Sequence, residues 1–161
     1  ARVRRAAGSV SIVGPPARYR HLGFRTVADL YPGAGPLAGI HAALTDSADD
    51  WNLVLACDLP AVPDEFLSLL LAHAEASGAD CSVPLTDGLR PQPLCAVYHR
   101  RCASRAAAAL AAGRRKMTAW LEELRVEWLP AAEPGWFVNA NTPEDWRSHL
   151  RELNPRSPEG A

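Results

Sequence analysis

Asn52-Leu-Val-Leu-Ala-Cys-Asp-Leu-Pro60 places five apolar residues in a row, Leu53 to Cys57, and then breaks at an aspartate and a proline. A run of that length and composition fits a strand buried on both faces, in the middle of a parallel sheet covered by helices. Pro60 has no N–H for a sheet ladder and biases Leu59 to extended geometry, so the strand ends before it. Asp58 is therefore expected at the carboxyl end of a central strand, the edge at which open α/β sheets bind ligands. A carboxylate there can hold a hard cation such as Mg²⁺, which takes oxygen ligands and shares them with phosphates. Equally, an aspartate at that place can cap the turn or the helix that follows. This stretch by itself does not separate the two readings.

Upstream, Tyr31-Pro-Gly-Ala-Gly-Pro-Leu-Ala-Gly39 is a glycine-rich loop running into a helix, with Leu37, Ile40, His41 and Leu44 at helical spacing. Such a loop leaves backbone N–H groups at a helix start, where the dipole favours an anion. Its G-x-G-x-x-x-G spacing is neither a dinucleotide fingerprint nor a Walker A loop. Short β-like runs occur at Val10–Val13 and Phe24–Val27. Downstream, Pro63 opens an amphipathic helix with Phe66, Leu67, Leu70, Leu71 and Ala74 on one face and Gly78 at its end. Strand-like segments follow at Ala79–Leu85, Pro93–Tyr98 and Arg125–Leu129, with a last strand or extended run at Trp136–Asn139 and helical segments at Arg100–Ala112 and Lys116–Leu124. Thr142-Pro-Glu-Asp145 has the N-cap, N1 and capping-box spacing of a last helix. Strands alternate with helices almost throughout, which argues for a three-layer α/β/α, Rossmann-like domain with a mainly parallel sheet. No repeat or linker divides it, so one domain over residues 1–153 is expected, followed by a flexible tail at 154–161.

The chain has 161 residues and a net charge of −1, which provides no basic footprint for nucleic acid. No apolar run approaches the length of a membrane span, and the basic start lacks the apolar core of a secretory signal. Cys57, Cys81, Cys95 and Cys102 show no C-x-x-C spacing, and three lie in or beside apolar runs. Free thiols in a reducing cytoplasm follow as the expected state.

Three segments acquire meaning together: Asp29-Leu-Tyr-Pro-Gly-Ala-Gly-Pro-Leu-Ala-Gly39, Leu55-Ala-Cys-Asp-Leu-Pro60 and Phe137-Val-Asn-Ala-Asn-Thr-Pro-Glu-Asp145. Arg90-Pro-Gln-Pro-Leu-Cys-Ala-Val-Tyr98 and Gly113-Arg-Arg-Lys116 lie between them. In this order and spacing the sequence resembles the molybdenum cofactor guanylyltransferase family, of the wider nucleotidyltransferase fold, from Val10 to about Leu153. The resemblance implies transfer of GMP from GTP to the phosphate of molybdopterin, with Mg²⁺ as cofactor and release of pyrophosphate. It implies that Asp58 is catalytic and holds the metal, that Asp29 and Gly35 join it in contacting the nucleotide, and that Arg90, Gln92, Asn139 and Asn141 line the pterin side. It leaves room for transient contact with other molybdenum-cofactor enzymes. The family also begins with a first strand and a glycine-rich loop that wraps the triphosphate and supplies a lysine. Nothing like these precedes the helix-like Ala1–Ala7, so the expected sheet lacks its first strand and activity of these residues alone is not implied. Gly14 stands where the family can carry a nucleotide-contacting asparagine.

Local alternatives accompany each position. Asp29 suits an Asx-turn at the loop entrance, Asn139 and Asn141 suit the hydrogen bonds of a strand-to-helix turn, and Arg114, Arg115 and Lys116 suit plain surface charge. At the level of function, the alternatives are cytidylyl or other nucleotidyl transfer on the same fold, and a non-catalytic relative that binds a pterin or a protein.

Overall fold

The computed structural model describes residues 2–130 and 133–153; the expected tail at 154–161 lies outside the described residues. Strand β6 (Cys95–His99) is buried at every residue but its last, and its alternation sorts the core into two halves. Ala96 and Tyr98 point into one apolar cluster, and Cys95 and Val97 into the other. The elements begin in the order α1 (Arg2–Ala7), β1 (Ser11–Val13), α2 (Pro16–Tyr19), β2 (Arg25–Val27), α3 (Pro36–Asp46) and β3 (Trp51–Leu55). Then come α4 (Asp64–Ser77), β4 (Cys81–Thr86) and β5 (Arg90–Pro91); after β6 come α5 (Cys102–Ala111), α6 (Met117–Leu121), β7 (Val126–Pro130) and α7 (Pro143–Leu153).

The helices form the outer layers. On one side α3, α5 and α6 bury Leu37, Ile40, Leu44, Ala106, Leu110 and Trp120 against Val83 and Tyr98. On the other, α4 buries Phe66, Leu67, Leu70 and Ala74 against Cys95, Val97, Leu53 and Leu55, with Ala6 of α1 beside them. Fully burying one such leucine or phenylalanine is worth roughly 1.5–3 kcal/mol, so these two faces outweigh the helices' own propensities. Pro36 opens α3, and Gly78, at φ 66°, ends α4 in the left-handed region that other residues avoid.

The expected three-layer α/β architecture is present, with a sheet that is more mixed in pairing than expected. β6 runs antiparallel between β3 and β4, β7 pairs parallel with β4, and β5 folds back on the end of β4. Strands β3, β4 and β7 therefore share one direction. β1 and β2 form a separate parallel pair, with Val13 opposite Val27. Helix α3 packs against β1, β2 and β3 and so bridges the two sheets.

Two sequence expectations are corrected. The apolar run at Leu53–Cys57 is not a buried central strand: β3 begins at Trp51, ends at Leu55, and is half-buried along its whole length. Its only ladder partner among the described residues is β6, and an edge strand keeps one side open. Cys57 consequently lies exposed in the following turn, while Cys81, Cys95 and Cys102 are buried free thiols. Burial pushes Cys95 up to about 12, so it stays protonated near neutrality. Trp136–Asn139 is not a strand. Pro134–Phe137 forms a 3₁₀ turn, held because Trp136 and Phe137 stack on Phe66 of α4 at 5.1 and 6.0 Å.

Candidate active site

Past the end of β3 the chain makes one more ladder bond, Ala56 N–H to the Leu94 carbonyl at 2.7 Å, and then turns. Buried Leu59 and Pro60 anchor the far side of the turn, and half-buried Asp58 sits at its apex. Its carbonyl accepts the N–H of Ala140 at 2.8 Å. Its carboxylate accepts no hydrogen bond and makes no ion pair among the described residues. The following helix α4 has Pro63 at its N-cap and no side-chain capping bond. The capping reading of Asp58 therefore finds no bond to support it.

The Ala140 bond brings the Asn139–Asn141 segment to the Asp58 turn. Ala140 is buried, while Asn139 and Asn141 flank it exposed. The local turn is closed by other residues. Asp145 accepts the N–H groups of Asn141 (3.0 Å) and Thr142 (2.9 Å), and the Thr142 hydroxyl accepts the Asp145 N–H (3.1 Å). This is the reciprocal capping box, with aspartate in place of the longer acid. The Thr142 N–H, foremost among these donors, holds the Asp145 carboxyl below its ordinary pKa. With the box satisfied in this way, neither asparagine side chain is needed for the turn.

The segment carrying Gln92 also borders this turn, because Leu94 is the residue bonded to Ala56. Gln92 itself is fixed in place: its N–H donates to the Pro84 carbonyl (2.8 Å) and its amide to the Thr86 hydroxyl (3.0 Å). Arg90, two residues earlier on β5, is exposed. Asp29 and Gly35 belong to a second group. One Asp29 oxygen accepts the Tyr31 N–H at 2.8 Å, which is an Asx-turn at the loop entrance. Tyr31 packs edge-on against His41 of α3 at 5.4 Å. Gly35 is the N-cap of α3 at φ 83° and ψ −167°, and no side chain caps that helix. From the α5–α6 turn, the Arg115 guanidinium reaches the Gly33 carbonyl at 3.5 Å. No hydrogen bond or ion pair joins this loop to the Asp58 turn among the described residues.

Among the described residues no three His, Cys, Asp or Glu side chains gather as a metal cluster. Asp58 is a single carboxylate with its oxygens open. That set fits a Mg²⁺ ion that takes one protein carboxylate and completes its shell with phosphate oxygens and water, and fits no site built from protein ligands alone.

The strongest charge cluster escaped the sequence reading. Asp80, 2% exposed at the start of β4, accepts from Arg101 Nε (2.7 Å), Arg105 Nη1 (2.8 Å) and Arg125 N–H (3.0 Å). Burial pushes its carboxyl up, but the Arg125 N–H and the guanidiniums of Arg101, Arg125 and Arg105 outweigh burial and hold it well below the usual range. Because β3 and β4 are parallel, Asp80 lies at the opposite sheet edge from Asp58. The cluster ties α5, β4 and β7 together away from the candidate site. Only the four-residue spacing of Arg101 and Arg105 on one helix face hinted at it.

The helix-covered sheet, with the Asp58 turn at its carboxyl edge, defines an α/β domain of the nucleotidyltransferase class. Residues 1–128 match the family model described as "MobA-like NTP transferase domain", and the chain belongs to that family. It is 36% identical over 139 residues to the molybdenum cofactor guanylyltransferase of Shewanella sp. (strain ANA-3), covering 85% of this chain and 70% of that protein. It is 34% identical over 128 residues to a protein of Bacillus mycoides named "Probable molybdenum cofactor guanylyltransferase", covering 77% of this chain. The match spans 63% of that relative's length. The crystal structure of molybdopterin-guanine dinucleotide biosynthesis protein A from Archaeoglobus fulgidus superposes with a TM-score of 0.75 at 30% identity, over 90% of this chain and 78% of that one.

Proposed function

We propose that this chain is the catalytic domain of a molybdenum cofactor guanylyltransferase. A phosphate oxygen of molybdopterin attacks the α-phosphorus of GTP, the bond from that phosphorus to the bridging β-phosphate oxygen breaks, and pyrophosphate leaves. The observation that carries the reading is the Asp58 turn: a carboxylate with no partner among the described residues, bonded through its own carbonyl to the segment that displays Asn139 and Asn141. A Mg²⁺ ion held by Asp58 and substrate phosphates would neutralise charge that gathers on the phosphates during transfer. A chain with a net charge of −1 has no background field to do so.

On the nucleotide side, Asp29 has one carboxylate oxygen engaged by Tyr31 and a second left for a ligand. Gly35 leaves the uncapped start of α3 without a side chain, so a ligand can approach its backbone closely. On the pterin side, Arg90 supplies charge for a phosphate, rigid Gln92 supplies an amide edge, and Asn139 and Asn141 supply donors and acceptors for a heterocycle. The names of the relatives favour guanine over cytosine. The free thiols support a cytoplasmic location. Transient contacts with other enzymes that handle the cofactor remain part of this proposal.

The test presents the protein with molybdopterin, Mg²⁺ and α-phosphate-labelled GTP or CTP. Label from GTP in the pterin dinucleotide, with at least tenfold less from CTP, is the expected result, a ratio within reach of one recognition pocket. Preference for CTP, or no transfer from either, overturns the proposal.

A further inference from the structure

At the amino edge of the sheet, the Asp80 cluster holds more positive charge than its carboxylate neutralises. Arg101, Arg105 and Arg125 surround that single carboxylate, three charges against one, which leaves a formal charge of +2. Their side chains are 43%, 50% and 70% exposed, while that of Asp80 is buried. The guanidiniums therefore form the surface and the aspartate its floor. The acids nearest to Arg125 in sequence are engaged elsewhere. Glu122 lines a cleft with Thr118 and Trp128, Glu123 pairs with Arg114, and Glu127 lies 4.0 Å from His73 of α4. Farther along, Arg100 and Asp50 offset one another beside His99.

The hydrogen bonds show which donors remain. Arg101 uses Nε on Asp80 and Nη2 on the Gly78 and Ala79 carbonyls. Arg105 uses Nη1, on Asp80 and the Glu123 carbonyl. Arg125 uses Nη2, at 3.4 Å from Asp80, while its own N–H serves the other carboxylate oxygen. Nε and Nη2 of Arg105, and Nε and Nη1 of Arg125, have no partner among the described residues. Nε and Nη2 form the planar edge of a guanidinium that takes a carboxylate through two parallel bonds. Bonding to one carboxylate also keeps the near nitrogens of Arg105 and Arg125 within roughly 8 Å of each other. Arg101, the N-cap of α5, stands one helical turn before Arg105, about 6 Å along the axis.

We infer that this face docks an acidic, extended segment of a partner protein, with carboxylates at alternate residues. Alternate side chains of a strand share one face at a repeat of about 7 Å, so two carboxylates reach Arg125 and Arg105 together and a third reaches Arg101. A small anion fits less well, because each contact to a largely exposed guanidinium is screened and worth little alone. Three carboxylates on one chain add through effective concentration. Asp80 strengthens each contact by holding the guanidiniums in place beforehand, which lowers the ordering cost of binding. A nucleic-acid strand also repeats its charges, but a chain of net charge −1 lacks the extended basic footprint that holds one. The face lies at the sheet edge opposite Asp58, and the inference does not rest on the proposed guanylyl transfer.

The experiment titrates the full chain with a capped peptide, Gly-Asp-Ala-Asp-Ala-Asp-Gly, and follows backbone amides by NMR. Saturable shifts are expected at Arg101, Arg105 and Arg125, and none at Asp58 or Leu59. Raising NaCl from about 50 to about 300 mM should weaken binding roughly tenfold, as screening requires. Arg105→Gln and Arg125→Gln should each weaken it about fivefold, and the double variant about twentyfold. These variants keep Arg101 and the main-chain N–H of residue 125 on Asp80, and a thermal melt verifies that each is folded. The same peptide with asparagine in place of aspartate should give no saturable shift, which tests the wild type without any variant. The inference is overturned by no binding at about 1 mM peptide in low salt, by equal binding of the asparagine peptide, or by unchanged affinity in the folded double variant. Tighter binding of octathymidylate or inorganic tripolyphosphate at the same amides would also overturn it, by making a phosphate chain the occupant.

Discussion

Asp58→Asn keeps the shape of the side chain and one acceptor oxygen but removes the charge. The carboxylate has no hydrogen-bond or ion-pair partner among the described residues, so folding has little to lose. The expected change in stability is within about 0.5 kcal/mol, or about 1–2 °C in Tm for a chain of this size. If the carboxylate holds the metal that neutralises charge in the transition state, turnover should fall about a hundredfold or more, equivalent to about 2.7 kcal/mol. The assay is GMP transfer to molybdopterin as a function of Mg²⁺ concentration, for wild type and mutant, with a thermal melt of each. The mutant should require more Mg²⁺ and remain slow at saturation, with an unchanged melt. Near-wild-type turnover with the same Mg²⁺ dependence would remove Asp58 from the mechanism. Parallel losses of activity and stability would return it to a turn-capping role, against the absence of any capping bond.

Asp80→Asn should act in the opposite sense, lowering stability by about 3 kcal/mol, at the low end for breaking a buried ion pair because its three arginines are partly exposed. Urea denaturation measures it, and a loss below about 0.5 kcal/mol, the range of an ordinary surface change, would show the cluster to be incidental. The same residue predicts a pH signature: its folded pKa lies below the unfolded 3.8, so its stabilisation is complete above about pH 4 and drains away as pH falls toward the folded value. The wild-type advantage over the asparagine variant should therefore shrink below about pH 4, and an advantage constant down to pH 2 would refute the assignment. Gly35→Ala should cost about 1–3 kcal/mol from backbone strain alone, since φ 83° with ψ −167° suits only glycine and nothing lies within 4 Å of an added Cβ. An unchanged melt would show that the loop can relax.

Elements governed by local chemistry were legible before the structure. The α4 face, with its four buried residues and closing glycine, and the α7 capping box depend on neighbours within a turn or two. The Asp58 turn was legible for the same reason, because an apolar run and a proline bracket it. What could not be read was set by distant partners. Asp80 draws its arginines from positions 101, 105 and 125, and no spacing in the sequence ties them to it. The Trp136–Phe137 pair has β-like composition, yet its rings find Phe66 on α4, and that packing turns the backbone into a 3₁₀ turn instead of a strand. Ala140 is an unremarkable alanine whose one N–H links two halves of the candidate site.

The difference at β3 has another origin. Its composition is that of a strand covered on both faces with a neighbour on each edge, and it belongs to the middle of a sheet by every local criterion. The described structure covers it with α4 on one face and α3 on the other, yet pairs it on one edge only. Val13 and Val27 tell the same story from the other side, because a two-stranded parallel ribbon is too small to be stable alone and survives here by leaning on α3. Apolar residues that remain half-buried at a helix-walled edge, opposite a second such edge, record a burial that their sequence provides for and the described contacts leave incomplete.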